Sequence, residues 1–236
     1  MGRVSTPEPA QLSAVSQDYL KVIWSATEWE DRPVTTKMLA ARLGVGASTV
    51  SETVRRLADS GFVTHEPYGA VGLTDAGRAQ ALAMVRRHRL VETFLVEVLG
   101  YGWDEVHDEA EVLEHAVSDL FVDRIAARLG HPTRDPHGDP IPGPDGSFDP
   151  PPATLLWDAE PGGWHVARIS DADPELLRYV ESVGLVLDAT VDVVVRRDAV
   201  GVVSLLVGAD ERPVELGEVA ARAIWLVAGD ARARVN

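Results

Sequence analysis

The densest run of prolines in this chain separates two parts that must fold in different ways. Eight of its 15 prolines fall between His131 and Ala153. Proline at this density is incompatible with helix interiors and central strands and favours extended backbone. We therefore predict a proline-rich linker over residues 131–153, with independently folded structure on either side.

The first 61 residues predict three helices. Leu12–Trp29 has apolar residues at helical spacing. Thr35 or Thr36 can cap a second helix, which ends at Gly44. A third helix, ASTVSETVRRLADSG, closes at Gly61, because glycine readily takes the left-handed conformation of a helix stop.

A short hairpin follows these helices. FVTHEPYGAVGLT alternates like two strands around a turn at Tyr68–Gly69. Three helices followed by a hairpin is the order of a winged helix-turn-helix, which we assign to residues 1–74 with a wing at His65–Gly72.

Beyond residue 74, the predicted secondary structure changes from helices to strands at the proline-rich segment. Residues 75–130 predict two long helices whose apolar stripes cover more than one side, which favours burial against a partner subunit; this domain is assigned to 75–146. Residues 147–236 hold the linker and a strand-rich domain. Four strand-like runs and the helix PELLRYVESVG predict a small barrel there. The fold class is mainly α with a β C-terminal domain.

The charge of the chain is unevenly distributed. The net charge is −15, but residues 33–90 carry eight Lys/Arg against four Asp/Glu, whereas the residues from Val91 onward carry 11 against 28. Because screening removes distant charges, the local basic surface decides nucleic-acid affinity. The absence of cysteine excludes disulfides, zinc fingers and thiol catalysis. With no secretory signal and no apolar run of membrane-spanning length, we expect a cytoplasmic protein.

The predicted third helix has the composition of a DNA-reading helix. A helix-turn-helix places its second helix in the major groove, where side chains near the helix start reach base edges. Candidate contacts are small polar residues at that start, the glutamate and arginines that follow, and a lysine on the preceding helix: Ser48, Thr49, Ser51, Glu52, Arg55, Arg56 and Lys37. The alternative is a packing module of three short helices without a DNA role.

A second constellation consists of potential metal ligands. On a helix turning 100° per residue, His107, Glu111, Glu114 and His115 share an arc of about 100°. One helix earlier, His88 and Glu92 stand four residues apart and so share a face. Imidazole and carboxylate together suit Mn, Fe, Co, Ni or Zn. The alternative is a set of solvated ion pairs.

These motifs resemble the diphtheria-toxin-repressor family of metal-dependent regulators over essentially the whole chain. The resemblance is carried by Asp18-Tyr-Leu, GASTVSETVRRL, Arg87-His88-Arg89-Leu90 with Glu92, HDEAEVLEHAVSD and DPHGDPIPG. It implies a winged helix, a helical dimerisation domain with two metal sites and an SH3-like C-terminal domain. It also implies a homodimer that binds a palindromic double-stranded operator and represses metal-uptake genes.

The resemblance also implies the ligand sets. An activating site would comprise Asp18, Glu111, Glu114 and His115, and an ancillary site would comprise His88, Glu92 and His107. Longer members add ligands from the SH3-like domain, for which Asp173 or Glu175 are the candidates here. Iron-sensing members carry methionine at the position of Asp18 and cysteine at that of Glu111. Hard oxygen at both positions favours Mn²⁺, with Fe²⁺ as the second choice.

Two departures and three rival interpretations remain. Lys21 stands where short manganese-sensing members have a glutamate, and Leu176 replaces an expected polar ligand. A metallohydrolase is one rival, but HExxH, a nucleophile elbow and a phosphate loop are missing, so we expect no enzyme. A metal-independent winged-helix regulator of a small organic ligand is the second, and an Fe²⁺-responsive member of the same family is the third.

Overall fold

The computed structural model of the chain describes residues 12–29, 33–65, 69–208 and 213–229 and divides into two units. The first unit comprises residues 1–87 with 142–146, and the second comprises 88–141 with 147–236. Within the described residues, no helix is both long and apolar enough to cross a bilayer.

The first unit holds the predicted three helices and hairpin. Its elements are α1 (Ala14–Glu28), α2 (Thr36–Leu43), α3 (Ala47–Asp59), β1 (Val63–His65), β2 (Val71–Leu73) and the beginning of α4 (Asp75–Phe94). β1 and β2 pair antiparallel with Val63 opposite Leu73. This order is the predicted winged helix-turn-helix. The wing tip, residues 66–68 with its Tyr68 turn, lies outside the described residues.

Local chemistry fixes the turn between α2 and α3. Of the two candidate caps, the Oγ1 atom of Thr35 accepts the hydrogen bond from the Met38 backbone N–H at 3.2 Å. At the other end of α2, Gly44 has a φ of +65°, which glycine adopts without steric cost. Leu39 of α2 and Val50 of α3 are fully buried.

The helical part of the second unit differs from the prediction at its centre. The segment after His107 was expected to be one long helix, but it forms α5 (Val106–Leu113) and α6 (Asp119–Arg128). Ser118 causes the break, since its Oγ accepts from the Phe121 backbone N–H at 3.3 Å and so starts a new helix. α4 passes into a π-helical turn over Leu95–Leu99 that ends at Gly100.

The proline-rich segment is only partly the extended linker that its composition predicts, because residues 135–142 are buried or half-buried whereas residues 143–153 are exposed or half-buried. Asp135, His137 and Asp139 are all buried. The backbone of Ile169 donates a hydrogen bond to the carbonyl of His137 at 2.9 Å, which joins this segment to the β-domain. The high proline content correctly excludes a helix or a central strand. The polar side chains between the prolines make the contacts that bury this part of the segment.

The C-terminal domain is a six-stranded antiparallel sheet with two helices. Its strands are β3 (Thr154–Leu155), β4 (Gly162–Ile169), β5 (Thr190–Arg197), β6 (Val202–Val207), β7 (Pro213–Gly217) and β8 (Ile224–Ala228), in the order β3-β8-β4-β5-β6-β7. Its helices are α7 (Pro174–Ser182) and α8 (Glu218–Ala221). The four predicted strands and the predicted helix are confirmed. The sequence prediction missed β3 and β8, although β8 pairs with β4 inside the sheet.

Candidate metal centre and DNA-binding helix

The exposed side of α3 carries the residues predicted to contact DNA. The six candidates on this helix and Lys37 on α2 are all exposed, whereas Val50, Val54 and Leu57 are buried. The Oγ–H of Ser51 donates to the carbonyl of Ala47 at 2.9 Å. The hydroxyl of Ser51 therefore presents lone pairs outward, which suits acceptance from a base amino group.

His88 of α4 lies at the centre of the buried ligand cluster. Its Nε2 is 2.9 Å from Glu92 Oε1, and its Nδ1 is 2.6 Å from Glu114 Oε2. Glu111 Oε1 lies 3.9 Å from the same Nδ1. Glu92 and Glu114 are completely buried, so both carboxylates are shielded from water and contact the same imidazole. Their arrangement brings together ligand atoms from the predicted activating and ancillary sets.

His107 of α5 extends the cluster toward the β-domain. Its Nδ1 lies 3.2 Å from Glu92 Oε1 and 3.0 Å from Asp171 Oδ2. Burial alone lowers the pKa of His107, but the hydrogen bonds to Asp171 and Glu92 outweigh burial and raise it to about 11. Burial raises the pKa of Asp171, but the hydrogen bond from His107 and the positive charges of His107, His137 and Arg168 together outweigh burial and lower it.

Asp171, and not Asp173 or Glu175, is the residue that the β-domain brings to His107. Asp173 caps α7, and its Oδ1 accepts from the backbone N–H groups of Glu175 and Leu176 at 2.9 and 3.3 Å. Neither Asp173 nor Glu175 belongs to a cluster of potential ligands among the described residues. The sequence pointed to Asp173 because the aspartate that caps α7 and the aspartate that contacts His107 are separated by only one residue.

The break between α5 and α6 sets the positions of Glu114 and His115. Glu114 is the C-cap of α5, and its Oε1 lies 3.4 Å from His115 Nε2. The helical-wheel prediction therefore holds for His107 and Glu111, but His115 lies beyond the helix. Asp18 lies on α1 in the first unit, and its role as a fourth ligand stays a prediction.

Sequence reasoning missed a further set of ligand atoms. Glu92, Asp135 and His137 are all buried and bring their ligand atoms within 4.8 Å of one another. His137 Nε2 lies 2.6 Å from the carbonyl oxygen of Trp103, so this nitrogen carries a proton and donates it to the carbonyl. The DPHGDP motif was the available signal, but proline density classified it as linker.

Two atoms of this set show that it suits a cation. Within the described part of the chain, Glu92 Oε2 and His137 Nδ1 are buried and have no hydrogen-bond partner. Buried polar atoms are almost always satisfied, so two unsatisfied atoms within one set of potential ligands indicate a place that suits a cation. Burial, together with the charges of Asp139 and Glu92, raises the pKa of Asp135 to about 8. A cation between these groups would remove that repulsion.

The donor atoms restrict which ion fits. All the clustered ligands in the second unit are imidazole nitrogens or carboxylate oxygens, and the chain has no cysteine. Such sets suit Mn²⁺ and Fe²⁺ better than thiophilic ions. The chain combines a winged helix-turn-helix with this buried ligand cluster. These are the features of metal-responsive DNA-binding regulators.

Three family models match consecutive parts of the chain. Residues 11–71 match the iron-dependent repressor N-terminal DNA-binding domain, and residues 74–143 match the iron-dependent repressor metal-binding and dimerisation domain. Residues 159–228 match the FeoA domain.

Curated relatives and solved structures agree with these matches. The iron-dependent repressor IdeR of Mycobacterium tuberculosis is 38% identical over 133 residues, which cover 56% of this chain and 57% of that protein. The diphtheria toxin repressor of Corynebacterium diphtheriae is 37% identical over 127 residues, 54% of this chain and 56% of that protein. The matched part thus spans little more than half the length of these relatives.

Solved structures match over nearly their entire length. A manganese-dependent transcriptional repressor in complex with manganese is 60% identical with a TM-score of 0.87, covering 90% of this chain and 99% of that one. ScaR with bound Cd²⁺ is 33% identical with a TM-score of 0.78, covering 90% and 98%. The chain belongs to the diphtheria-toxin-repressor family of metal-dependent regulators.

Proposed function

We propose that this protein is a Mn²⁺-dependent transcriptional repressor that binds operator DNA as a homodimer when it is loaded with metal. The observation that carries the proposal is the buried cluster around His88, in which Glu92 and Glu114 face the two imidazole nitrogens at 2.9 and 2.6 Å. It is supported by the 60% identity to a manganese-dependent repressor.

The proposed metal would be held by the residues that surround His88 and Glu92. When bound, a divalent cation supplies concentrated positive charge to these buried carboxylates. Glu111, Glu114 and His115 would hold it in the activating set, and Asp18 is the further ligand that the family resemblance implies. His107 and Asp171 would serve the ancillary set, where the hydrogen bonds to carboxylates orient the imidazole.

The chain's own residues supply the DNA contacts. Arg55, Arg56 and Lys37 would bind phosphates, while Ser48 and Thr49 at the start of α3 would reach base edges. Metal binding favours the DNA-binding state only if the cation binds that state more tightly, so DNA and metal must raise each other's affinity by the same factor.

Dimerisation through the helical part of the second unit is part of the proposal. Leu120 and Phe121 on α6 are 66% and 45% exposed, and Val112 on α5 is 69% exposed. Exposed large apolar side chains on the helices of one domain are typical of an interaction surface. A symmetric dimer would read a palindromic operator, with half-sites spaced by its two α3 helices. Because DNA is the proposed partner, we place the protein in the cytoplasm.

We propose a regulator and not an enzyme. The residues best suited to contact DNA lie exposed on α3, and HExxH, a nucleophile elbow and a phosphate loop are missing from the sequence. Steady metal-dependent hydrolysis of a generic ester by the purified protein would contradict this assignment.

The test is DNA affinity measured with and without metal. Fluorescence anisotropy with a candidate promoter fragment at fixed salt would compare chelated protein with protein in Mn²⁺, Fe²⁺ or Zn²⁺. Glu114→Gln and Asp18→Asn would be compared with Asp108→Asn, an exposed position on α5 that loses the same charge.

Each outcome of this test bears on one interpretation. We expect Mn²⁺ to raise affinity strongly, Glu114→Gln and Asp18→Asn to abolish the gain, and Asp108→Asn to preserve it. Activation by Fe²⁺ alone would keep the family and change the metal. If the DNA affinity is the same with and without chelator, a regulator that responds to a small organic ligand would be favoured instead.

A further inference from the structure

One buried carboxylate lies between the helical part of the second unit and the β-domain. Asp139, in the proline-rich segment, is 4% exposed. Its Oδ1 accepts a hydrogen bond from Arg168 Nε at 2.7 Å and lies 3.2 Å from Arg89 Nη2. Arg89 belongs to α4 and Arg168 to β4, so a single oxygen joins two elements from different domains.

Both guanidinium groups are held by further contacts. Arg89 Nη1 donates to the carbonyl of Pro140 at 2.6 Å. The Arg168 guanidinium lies 4.1 Å above the ring of Trp225, in cation–π geometry. Arg168 directly follows a shift in the pairing of β4 with β8, an irregularity that redirects side chains.

The same segment presents two potential metal ligands. The backbone N–H groups of His137 and Asp139 both donate to Asp135 Oδ1 at 2.9 Å, which shapes the segment into a tight turn. Within this turn Asp135 and His137 bring their ligand atoms to Glu92 of α4. The Oδ1 atom of Asp139 faces the two arginines, and Nε of Arg89 also lies 3.6 Å from Asp135 Oδ2.

We propose that Asp139 is a positioning residue: by bridging Arg89 and Arg168 it holds the turn so that Asp135 and His137 meet Glu92. The inference rests on the proposed metal binding of the second unit. Asp139 need not touch the cation. Residues that orient ligands typically change metal affinity by about 10- to 100-fold when substituted.

A neutral replacement tests the bridge. Asp139→Asn keeps the shape of the side chain but removes the charge that pairs with two buried guanidinium groups. Asp188→Asn is the matched control, because the Arg134–Asp188 ion pair also joins the proline-rich segment to the β-domain, with Asp188 66% exposed. Exposed pairs of this kind contribute little.

The measurement is Mn²⁺ binding by electron paramagnetic resonance, which separates free from bound ion, on the full chain. We expect Asp139→Asn to weaken one class of Mn²⁺ site about tenfold or more while the other class keeps its affinity. Asp188→Asn should leave both classes unchanged. Arg168→Lys, which keeps the charge but loses the Nε donor, should weaken the same class, and it serves as the second variant if Asp139→Asn does not fold.

Two results would overturn the inference. One is a folded Asp139→Asn protein whose Mn²⁺ sites all keep wild-type affinity. The other is an equal loss of Mn²⁺ affinity in Asp188→Asn, which would show that losing any contact between the proline-rich segment and the β-domain weakens Mn²⁺ binding. If wild-type Mn²⁺ binding fails to raise DNA affinity while Asp139→Asn still loses a site, the repressor proposal fails and the positioning role stands.

Discussion

Nδ1 of His107 lies 3.0 Å from Oδ2 of Asp171, and this contact connects α5 to the β-domain. The same nitrogen lies 3.2 Å from Glu92 Oε1, so the imidazole stands between two carboxylates from different elements. Asp171 lies two residues beyond the end of β4 and two residues before Asp173, the N-cap of α7. Through Asp171 the β-domain contacts one potential metal ligand, His107.

The first prediction separates these two aspartates. Asp171→Asn should weaken Mn²⁺ binding about tenfold or more, because it removes the partner that orients His107. Asp173→Asn is the matched control, since asparagine is also a good N-cap and should preserve α7. Isothermal titration with Mn²⁺ would measure both. A loss in Asp173→Asn alone would restore the assignment made from sequence.

The second prediction concerns the metal-free protein as pH rises. The pKa of His107 is raised to about 11 and that of Asp135 to about 8, so the folded state holds both protons more tightly than the unfolded chain. The stability that each group contributes is lost as pH rises toward its folded pKa. Between pH 6.5 and 8 both contributions fall, and the free energy of unfolding should decrease.

Urea unfolding in the presence of chelator at several pH values would test this dependence. The carboxylates with lowered pKa values, Glu92 and Asp171, stay ionised across this window and so add no slope. Asp135→Asn should flatten the pH dependence, because it removes one of the groups whose pKa is raised in the folded state. Stability that increases from pH 6.5 to 8 would contradict the prediction.

The third prediction concerns the close approach of Gly138 to β4. Its φ is +93°, and a Cβ atom there would lie 2.1 Å from the carbonyl oxygen of Ala167. Gly138→Ala should therefore destabilise the protein by about 2–4 kcal/mol, from backbone strain and the clash together. Gly146→Ala isolates the strain, because Gly146 has a φ of +78° with open space around it. If thermal unfolding shows that the two variants are equally destabilised, the clash with Ala167 does not contribute to the loss of stability.

The fourth prediction concerns α2 and α3. Lys37→Gln should weaken DNA binding on every sequence and reduce the salt dependence by about one unit of slope, as expected for a lost phosphate contact. Thr49→Ala should instead weaken binding to the operator by about 1–3 kcal/mol without changing that slope, if its hydroxyl reaches a base. Salt titrations of both variants on operator and unrelated DNA would distinguish the two roles.

Local sequence signals were sufficient for the regular parts of the fold. The spacing of Val50, Val54 and Leu57 predicted both the buried face of α3 and its exposed polar face, since a helix has a fixed period. The spacing of His88 and Glu92 likewise predicted their shared face on α4. These features depend only on residues three or four positions apart.

The parts that sequence could not predict depend on contacts between distant segments. Asp135 and His137 approach Glu92 from a turn that contacts Arg89 and the β-domain, and their spacing alone resembles a proline-rich linker. The break at Ser118 was missed because one serine cap interrupted an otherwise helical pattern. β8 was missed because its apolar run, IWLVA, lacks the alternation of a half-buried strand.

The last prediction tests why this chain should prefer Mn²⁺. Glu111 offers a hard carboxylate oxygen 3.9 Å from His88 Nδ1. Glu111→Cys would introduce a soft thiolate at that position, and soft ligands favour Zn²⁺ and other thiophilic ions over Mn²⁺. The ratio of Zn²⁺ to Mn²⁺ affinity should therefore rise at least tenfold, and Mn²⁺ should lose its ability to activate DNA binding.

Asp108→Cys provides the control for this substitution, since it places a thiol on the exposed side of the same helix, away from His88. Competition titrations with a chromophoric chelator would give both affinities for each variant. If Glu111→Cys leaves the ratio unchanged while Asp108→Cys also has no effect, the position of Glu111 does not select the metal. Selectivity would then depend on Glu92 and Glu114, the two carboxylates buried against His88.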